Sequence, residues 1–466
     1  MAWARAGIAL GAVALAVLAL SGGHRDDPRT PPGLPGLPPP FLGTAVVGSG
    51  GRTAAVDAYG NIVDLRIPGP AGEALIAVPA DRQAAGTVPA DAAIVARMHL
   101  QDGGSLPLWR ADSIRQRYLS GTNVLRTVAR RDDERMAIVR RIGGPGAVRA
   151  DRRWLARAGP LGPTAPRWAR HMYARSLLVL RALTDRRTGA VAAGARDGWA
   201  YVWPRDAATV AIAFASAGYR PEARRVAAFL LGLDLDAAAR FNGTGAPVSG
   251  RDAQGDAGGW IDAAARAAGV PAAHPPGGWA NRADYQEGDA GDYLGNAIAS
   301  AAAGSGGRRR GKPASRSRRP WTAFATPSGL VRAADNPHSG LDSAAAWAVR
   351  PFPQPALFPL ARRTLLRLVA HRESHFGIVP AENWRGGNDP WTAPTAWVAW
   401  SLAALGERPA ALRLMADLRR ATTPLGMLPE RVDAHTGLPA STTPLAWSHA
   451  FAILAIRELW PRRAGA

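Results

Sequence analysis

Two spacings of apolar residues divide the chain. From about Phe41 to Gly146 they come in short runs rich in β-branched residues (TAVV, TAAVDAYGNIVDLRI, ALIAV, AIVARMHL and MAIVRRI), cut by Gly, Pro and Asp. Runs of this length between turn formers predict the strands of a small β module over residues 41–150. From about Arg153 the apolar residues recur three and four apart in long segments such as ARSLLVLRALTD, AATVAIAFASAG, EARRVAAFLLGLD, AAWAVR, ARRTLLRLVAHR, TAWVAWSLAALG and AWSHAFAILAIREL. That period, broken by Gly-containing loops, predicts many paired helices over residues 151–466. A helical barrel or a helical repeat would fit, and the absence of a fixed-period self-similarity counts against the repeat.

The first residues follow neither pattern. After Arg5 the stretch from Ala6 to Leu20 carries no charge, and the next charged side chain is Arg25. Residues 1–24 are therefore expected to be an export signal peptide or a retained membrane anchor, with the bulk of the chain outside the cytoplasm. Residues 25–40, ending in TPPGLPGLPPP, are expected to be a stiff Pro-rich linker.

Composition changes this picture in two respects. The chain of 466 residues has a formal net charge of +21, which ordinarily raises nucleic acid as a partner. Its basic residues are mostly Arg scattered through Ala-, Gly- and Pro-rich sequence rather than clustered, so no nucleic-acid partner is expected. Long-range attraction to acidic cell-envelope polymers stays open. The dense segment from Gly304 to Arg319 (GSGGRRRGKPASRSRR) reads as a solvated loop, with polyanion binding as the sharper alternative. The absence of Cys excludes disulfides, thiolate metal sites and thiol nucleophiles.

Candidate chemistry sits in the loops between helices. Trp199 to Asp206 (WAYVWPRD) places two Trp, a Tyr, an Arg and an Asp ahead of a helix expected near Ala207. Aromatic faces stack on sugar rings, and Arg and Asp fix hydroxyls by charge-assisted hydrogen bonds. The plainer alternative makes Asp206 a helix N-cap with Trp203 in the core. Asn383 to Trp391 (NWRGGNDPW) has the same character, which adds Trp384 and Trp391 as sugar-contacting candidates. In LPERVDAHTGLPASTTPLAWSHA, Glu430 lies in a loop before a helix opening at Leu445, where a carboxylate could activate water or simply be solvated. His371, Glu373 and His375 (HRESH) put two His four apart, but no third ligand is evident, so no metal site is expected.

Together these segments resemble glycoside hydrolase family 15, which includes glucoamylases, glucodextranases and some bacterial trehalases. The resemblance starts in GRTAAVDAYGNIVDLRIP and QRYLSGTNVLRT, continues through RSLLVLRALTDRRTGAVAAG and DGWAYVWPRDAATVAIAFASAG, and closes on LPERVDAHTGLPASTTPLAWSHA. It implies a six-hairpin (α/α) toroidal barrel preceded by the small β module, with no cofactor and no metal. It also implies an inverting, exo-acting hydrolase that releases terminal α-linked glucose from an oligo- or polysaccharide. By the same resemblance Arg205 and Asp206 hold the terminal sugar with Trp203 beside them, Glu430 is the general base, and Trp447 and His449 belong to the motif opening the last helix.

One position departs from that pattern. The family's general acid is a Glu four residues into a motif that reads Gly329, Leu330, Val331, Arg332 here, with Ser343 matching the Ser that follows it. An Arg cannot donate a proton at ordinary pH. Asp335 and Asp342 are the nearby substitutes, with Asp284, Glu287, Asp289 and Asp292 farther off. A non-catalytic or weakly catalytic sugar-binding protein is the alternative function. An Arg that pairs with an acidic glycan is a third.

Overall fold

The computed structural model describes residues 45–67, 94–271, 280–303 and 321–462. The N-terminal apolar run, the Pro-rich linker, ALIAV and the basic segment 304–319 lie outside the described residues. Among the described residues no helix is long and apolar enough to cross a membrane.

The β-branched runs form short antiparallel sheets. Strands β1 (Ala45–Ser49), β2 (Arg52–Val56) and β3 (Ile62–Arg66) make one sheet in that order. Gly50 and Gly51 close its first hairpin at φ of 65° and 82°, a two-residue turn with both central residues left-handed, which glycine adopts without strain. Strands β4 (Arg97–His99) and β5 (Ser105–Pro107) pair, and β6 (Ser113–Tyr118), β7 (Leu125–Arg131) and β8 (Glu134–Arg140) form a second three-stranded meander. The boundary expected near residue 150 falls inside the first helix, α1 (Ala147–Leu155).

Helices then dominate: α2 (Arg167–Leu183), α3 (Pro204–Ser216), α4 (Arg220–Leu231), α5 (Ala257–Ala268), α6 (Leu294–Ala303), α7 (Phe358–Ala370), α8 (Thr392–Ala404), α9 (Arg408–Arg420) and α10 (Ala446–Leu459). The chain is mainly α with a small β module ahead of the helices, as the spacing predicts. The expected helix AAWAVR is instead the 3-10 turn Ser343–Ala348, cut short by Pro351 and Pro353, which cannot continue a helix.

Sequence decides which helices go inside. α3, α8 and α10 are apolar or small nearly all round and are buried on all sides, whereas α4, α7 and α9 alternate and bury one stripe. The inner elements pack in a closed cycle, α3 on α5, α5 on α6, α6 on the 3-10 turn, that turn on α8, α8 on α10, and α10 on α3. Outer helices back this ring, with α4 against α3 and α5, α7 against the 3-10 turn, α9 against α8, and α2 against α10. Edge-to-face indoles fill the middle: Trp260 lies 5.1 Å from Trp347, Trp347 5.4 Å from Trp397, and Trp397 5.4 Å from Trp447.

The β module is riveted to α2. Asn123, nearly fully buried, donates through Nδ2 to the Gly48 carbonyl at 3.0 Å and the Leu178 carbonyl at 2.7 Å, while its Oδ1 accepts from Arg175 at 2.9 Å. Val46, Ala55 and Val63 belong to the same apolar core as the helices.

Candidate active site

The loops ahead of the inner elements gather at one end of the ring. Trp203 is the N-cap of α3, Asp256 of α5, Asp342 of the 3-10 turn, Trp391 of α8 and Leu445 of α10. Single β-bridges lace these loops together, among them Gln254 to Ala283, Tyr293 to Ala333, Asp342 to Ala381, Trp391 to Arg431 and Gly194 to Leu445.

Glu430 stands in this wall on a firmly held backbone. Its N–H donates to the Thr442 carbonyl at 2.9 Å and its own carbonyl accepts from the Thr392 N–H, at the start of α8, at 3.0 Å. Two residues upstream, Leu428 N–H donates to His449 Nε2 at 3.0 Å, and His449 Nδ1 meets Ser176 Oγ of α2 at 2.9 Å. Accepting at Nε2 fixes the tautomer with the proton on Nδ1. Burial, then the field of Arg175, pushes His449 down to about 3, so it stays neutral and acts as a brace between α10, α2 and the loop.

The carboxyl of Glu430 accepts from Ser441 Oγ and from Trp199 Nε1 at 3.3 Å, and it is half-buried. Desolvation raises its pKa above the ordinary carboxylate value, and the bonds from Ser441 and Trp199 and the charges of Arg431 and Arg251 oppose that rise. A carboxylate held this way can take a proton from water.

Next to it lies a buried cluster built on WPRD. Pro204 occupies the first helical turn, so α3 starts at Pro204 rather than near Ala207, and Trp203, not Asp206, is the cap residue. Arg205 Nη1 donates to Gln254 Oε1 at 2.8 Å and to Asp256 Oδ2 at 3.0 Å, its Nη2 lies 3.6 Å from Asp206 Oδ2, and the guanidinium sits 4.7 Å from the Trp447 ring. Asp206 is pushed up to about 7 by burial, partly offset by Arg205 and reinforced by the nearby charges of Glu430 and Asp256. Trp203 donates through Nε1 to Glu287 Oε1 at 2.8 Å, and Glu287 also pairs with Arg251.

Arg332 occupies its place firmly. It makes a two-pronged pair with the buried carboxylate of Asp284, Nε to Oδ2 at 2.8 Å and Nη2 to Oδ1 at 2.9 Å. Burial would lower its pKa, but Asp284 and then Asp342 hold it above the ordinary Arg value. Asp342 is itself buried, accepting on Oδ1 from Tyr285 Oη at 2.7 Å and the Ala344 N–H at 2.8 Å. Asp335 lies on an exposed turn at φ of 56°.

Residues 167–234, spanning α2 to α4 and containing WPRD, match the family model described as Glycosyl hydrolases family 15. The chain resembles that family. A wild-type glycosidase shares its fold at 20% identity, over 66% of this chain and 98% of that chain, with a TM-score of 0.50. A variant of a glycosidase in complex with glucose matches with the same figures. A bacterial glucoamylase complexed with acarbose is 16% identical over 67% of this chain and 58% of that chain, with a TM-score of 0.50. No curated protein matches.

In this family 15-like frame the other sequence candidates scatter more widely. Trp384 and Trp391 pack edge to face at 5.2 Å, with Trp391 capping α8 beside the Glu430 loop. His371 and His375 do not share a helical face, because α7 ends at Ala370. Sequence reading missed Gln254 and Asp256, the partners of Arg205, as well as Arg251 and Ser441. The run RDAQGDAGGW had the signal already used for WPRD, polar residues and a Trp at the opening of a helix.

Proposed function

We propose that this chain is an inverting, exo-acting glycoside hydrolase of the glucoamylase type, releasing terminal α-linked glucose from an oligo- or polysaccharide, with Glu430 as general base. The observation that carries the reading is the meeting of Glu430, fixed by Ser441 and Trp199, with the Arg205–Asp206–Trp447 cluster at the loop end of the ring. Glu430 takes a proton from water as the water attacks the anomeric carbon, while Arg205 and Asp206 bind hydroxyls of the terminal sugar against Trp203 and Trp447. Trp384 and Trp391 extend the aromatic wall toward the next sugar. The apolar run from Ala6 to Leu20 supports export as part of the same reading.

The departing oxygen needs a proton, and Arg332, locked on Asp284, has none to give. Asp342, pushed up to about 7, is buried, and Asp335 is exposed on its turn, so either must move to serve. Protonation of the leaving group is therefore the weak step. Because a general acid contributes about 10²–10⁴ in rate, α-glucosyl fluoride, which leaves with little proton assistance, is expected to be hydrolysed at least about 10²-fold faster than maltose. Equal rates would mean that another carboxyl supplies the proton, and Asp342→Asn and Asp335→Asn would identify it. The Arg332–Asp284 pair also favours a second reading, a sugar-binding protein without turnover. Glucan binding with neither substrate hydrolysed would establish that reading instead.

A further inference from the structure

The β6–β7–β8 meander buries one face and turns the other to solvent. On the outer face stand Ser113, Arg115 and Arg117 of β6, Arg126, Val128 and Arg130 of β7, and Arg135, Ala137 and Val139 of β8, alternating with the inward side chains. The arginines surround a shallow groove of about 440 Å³. Register sets them against one another: Arg117 is directly opposite Arg126, and Arg130 directly opposite Arg135. Like charges in such cross-strand pairs are destabilising. Among the described residues none of these arginines forms an ion pair within 4.0 Å, although the same chain pairs Arg157, Arg181, Arg332 and Arg372 with carboxylates elsewhere. Among the described residues of these three strands, none on this face is acidic.

We propose that this face is a docking surface for an acidic polysaccharide, with the arginines taking the carboxylates of successive sugars. Residues two apart on a strand are separated by about 7 Å and cross-strand neighbours by about 5 Å, a grid suited to a polymer with charge repeated along it rather than to one small ion. The planar guanidinium pairs with carboxylate through two parallel hydrogen bonds. Val128, Ala137 and Val139 give the floor apolar patches for the C–H faces of sugar rings, and Val139 is 46% exposed. Among the described residues of these strands, the face has no aromatic side chain on which unpaired bases could stack and no Trp, Phe or Leu to enter a bilayer. Because Asn123 rivets the module to α2, a polymer bound here holds the helical body beside it. Nothing in this proposal depends on turnover at Glu430.

Affinity electrophoresis of the full chain in gels containing polygalacturonate, with neutral dextran as reference, tests it. The wild type should be retarded by polygalacturonate alone, and less so as salt rises. The variant R115S/R117S/R126S/R130S should bind at least about tenfold more weakly while melting no lower than the wild type. The control R153S/R220S/R225S/R413S loses the same charge from exposed helix surfaces and should bind as the wild type does. No retardation of the wild type, or equal loss in both variants, would overturn the proposal. So would tighter binding of duplex DNA or of phosphatidylserine vesicles that is lost in the first variant.

Discussion

Asp342 carries two donated hydrogen bonds on Oδ1, while its buried Oδ2 has no partner. That asymmetry suits a neutral carboxyl with its proton on Oδ2. Burial, reinforced by the charge of Asp284, pushes the group up to about 7 against the donors Tyr285 and Ala344. In the unfolded chain it titrates near the ordinary value of about 3.9, so the folded state binds its proton more tightly. Its contribution to stability is full below that value and is lost as pH rises through about 7. Asp342→Asn should therefore gain on the wild type by on the order of 2 kcal/mol between about pH 5 and pH 8, read from denaturant unfolding at both. Parallel curves would show that Asp342 is ionised in the fold. At this scale the sequence made Glu430, Arg205 and Asp206 visible because each stands in a short motif. Spacing carries no record of burial, however, so Asp342 and Asp335 looked equivalent although one caps a buried turn and the other faces water.

Elements were legible where one period ran long. AWSHAFAILAIREL was expected to open at Leu445, and the helix runs Ala446–Leu459 with Leu445 as its cap. α3 starts three residues before the expected Ala207 because the fixed φ of Pro204 suits the first helical turn. Close approach between elements was not legible at all. α5 lies so near α6 that a Cβ on Gly259 would fall 2.2 Å from the Ala299 carbonyl oxygen. Gly259→Ala raises helix propensity by about 1 kcal/mol, yet it forces two inner elements of the ring apart, an overpacking cost of about 1–3 kcal/mol. A lower melting temperature is expected, with the far-UV spectrum unchanged. A higher one would mean that the ring yields at this contact.

For the whole molecule, the closed cycle of inner elements explains how residues more than two hundred positions apart come to share one site. α3 and α10 are neighbours in that cycle, which sets Arg205 against Trp447, and the loop before α10 sets Glu430 beside Trp199. The family resemblance implies this closure, since periodicity alone yields paired helices without the order in which they meet. The position that the resemblance aligns with the family's general acid is where the resemblance stops, and the Arg332 found there is held in a salt bridge with the buried Asp284. Whether Glu430 nonetheless directs water onto the anomeric carbon is open to a direct observation, the anomer first released from α-glucosyl fluoride, followed by proton NMR before mutarotation. Attack by Glu430-activated water from the face opposite the leaving group should give β-glucose first, and Glu430→Gln should abolish its formation with the fold retained. Release of α-glucose first, or β-glucose formed as fast by Glu430→Gln, would contradict the assignment of Glu430 as the base.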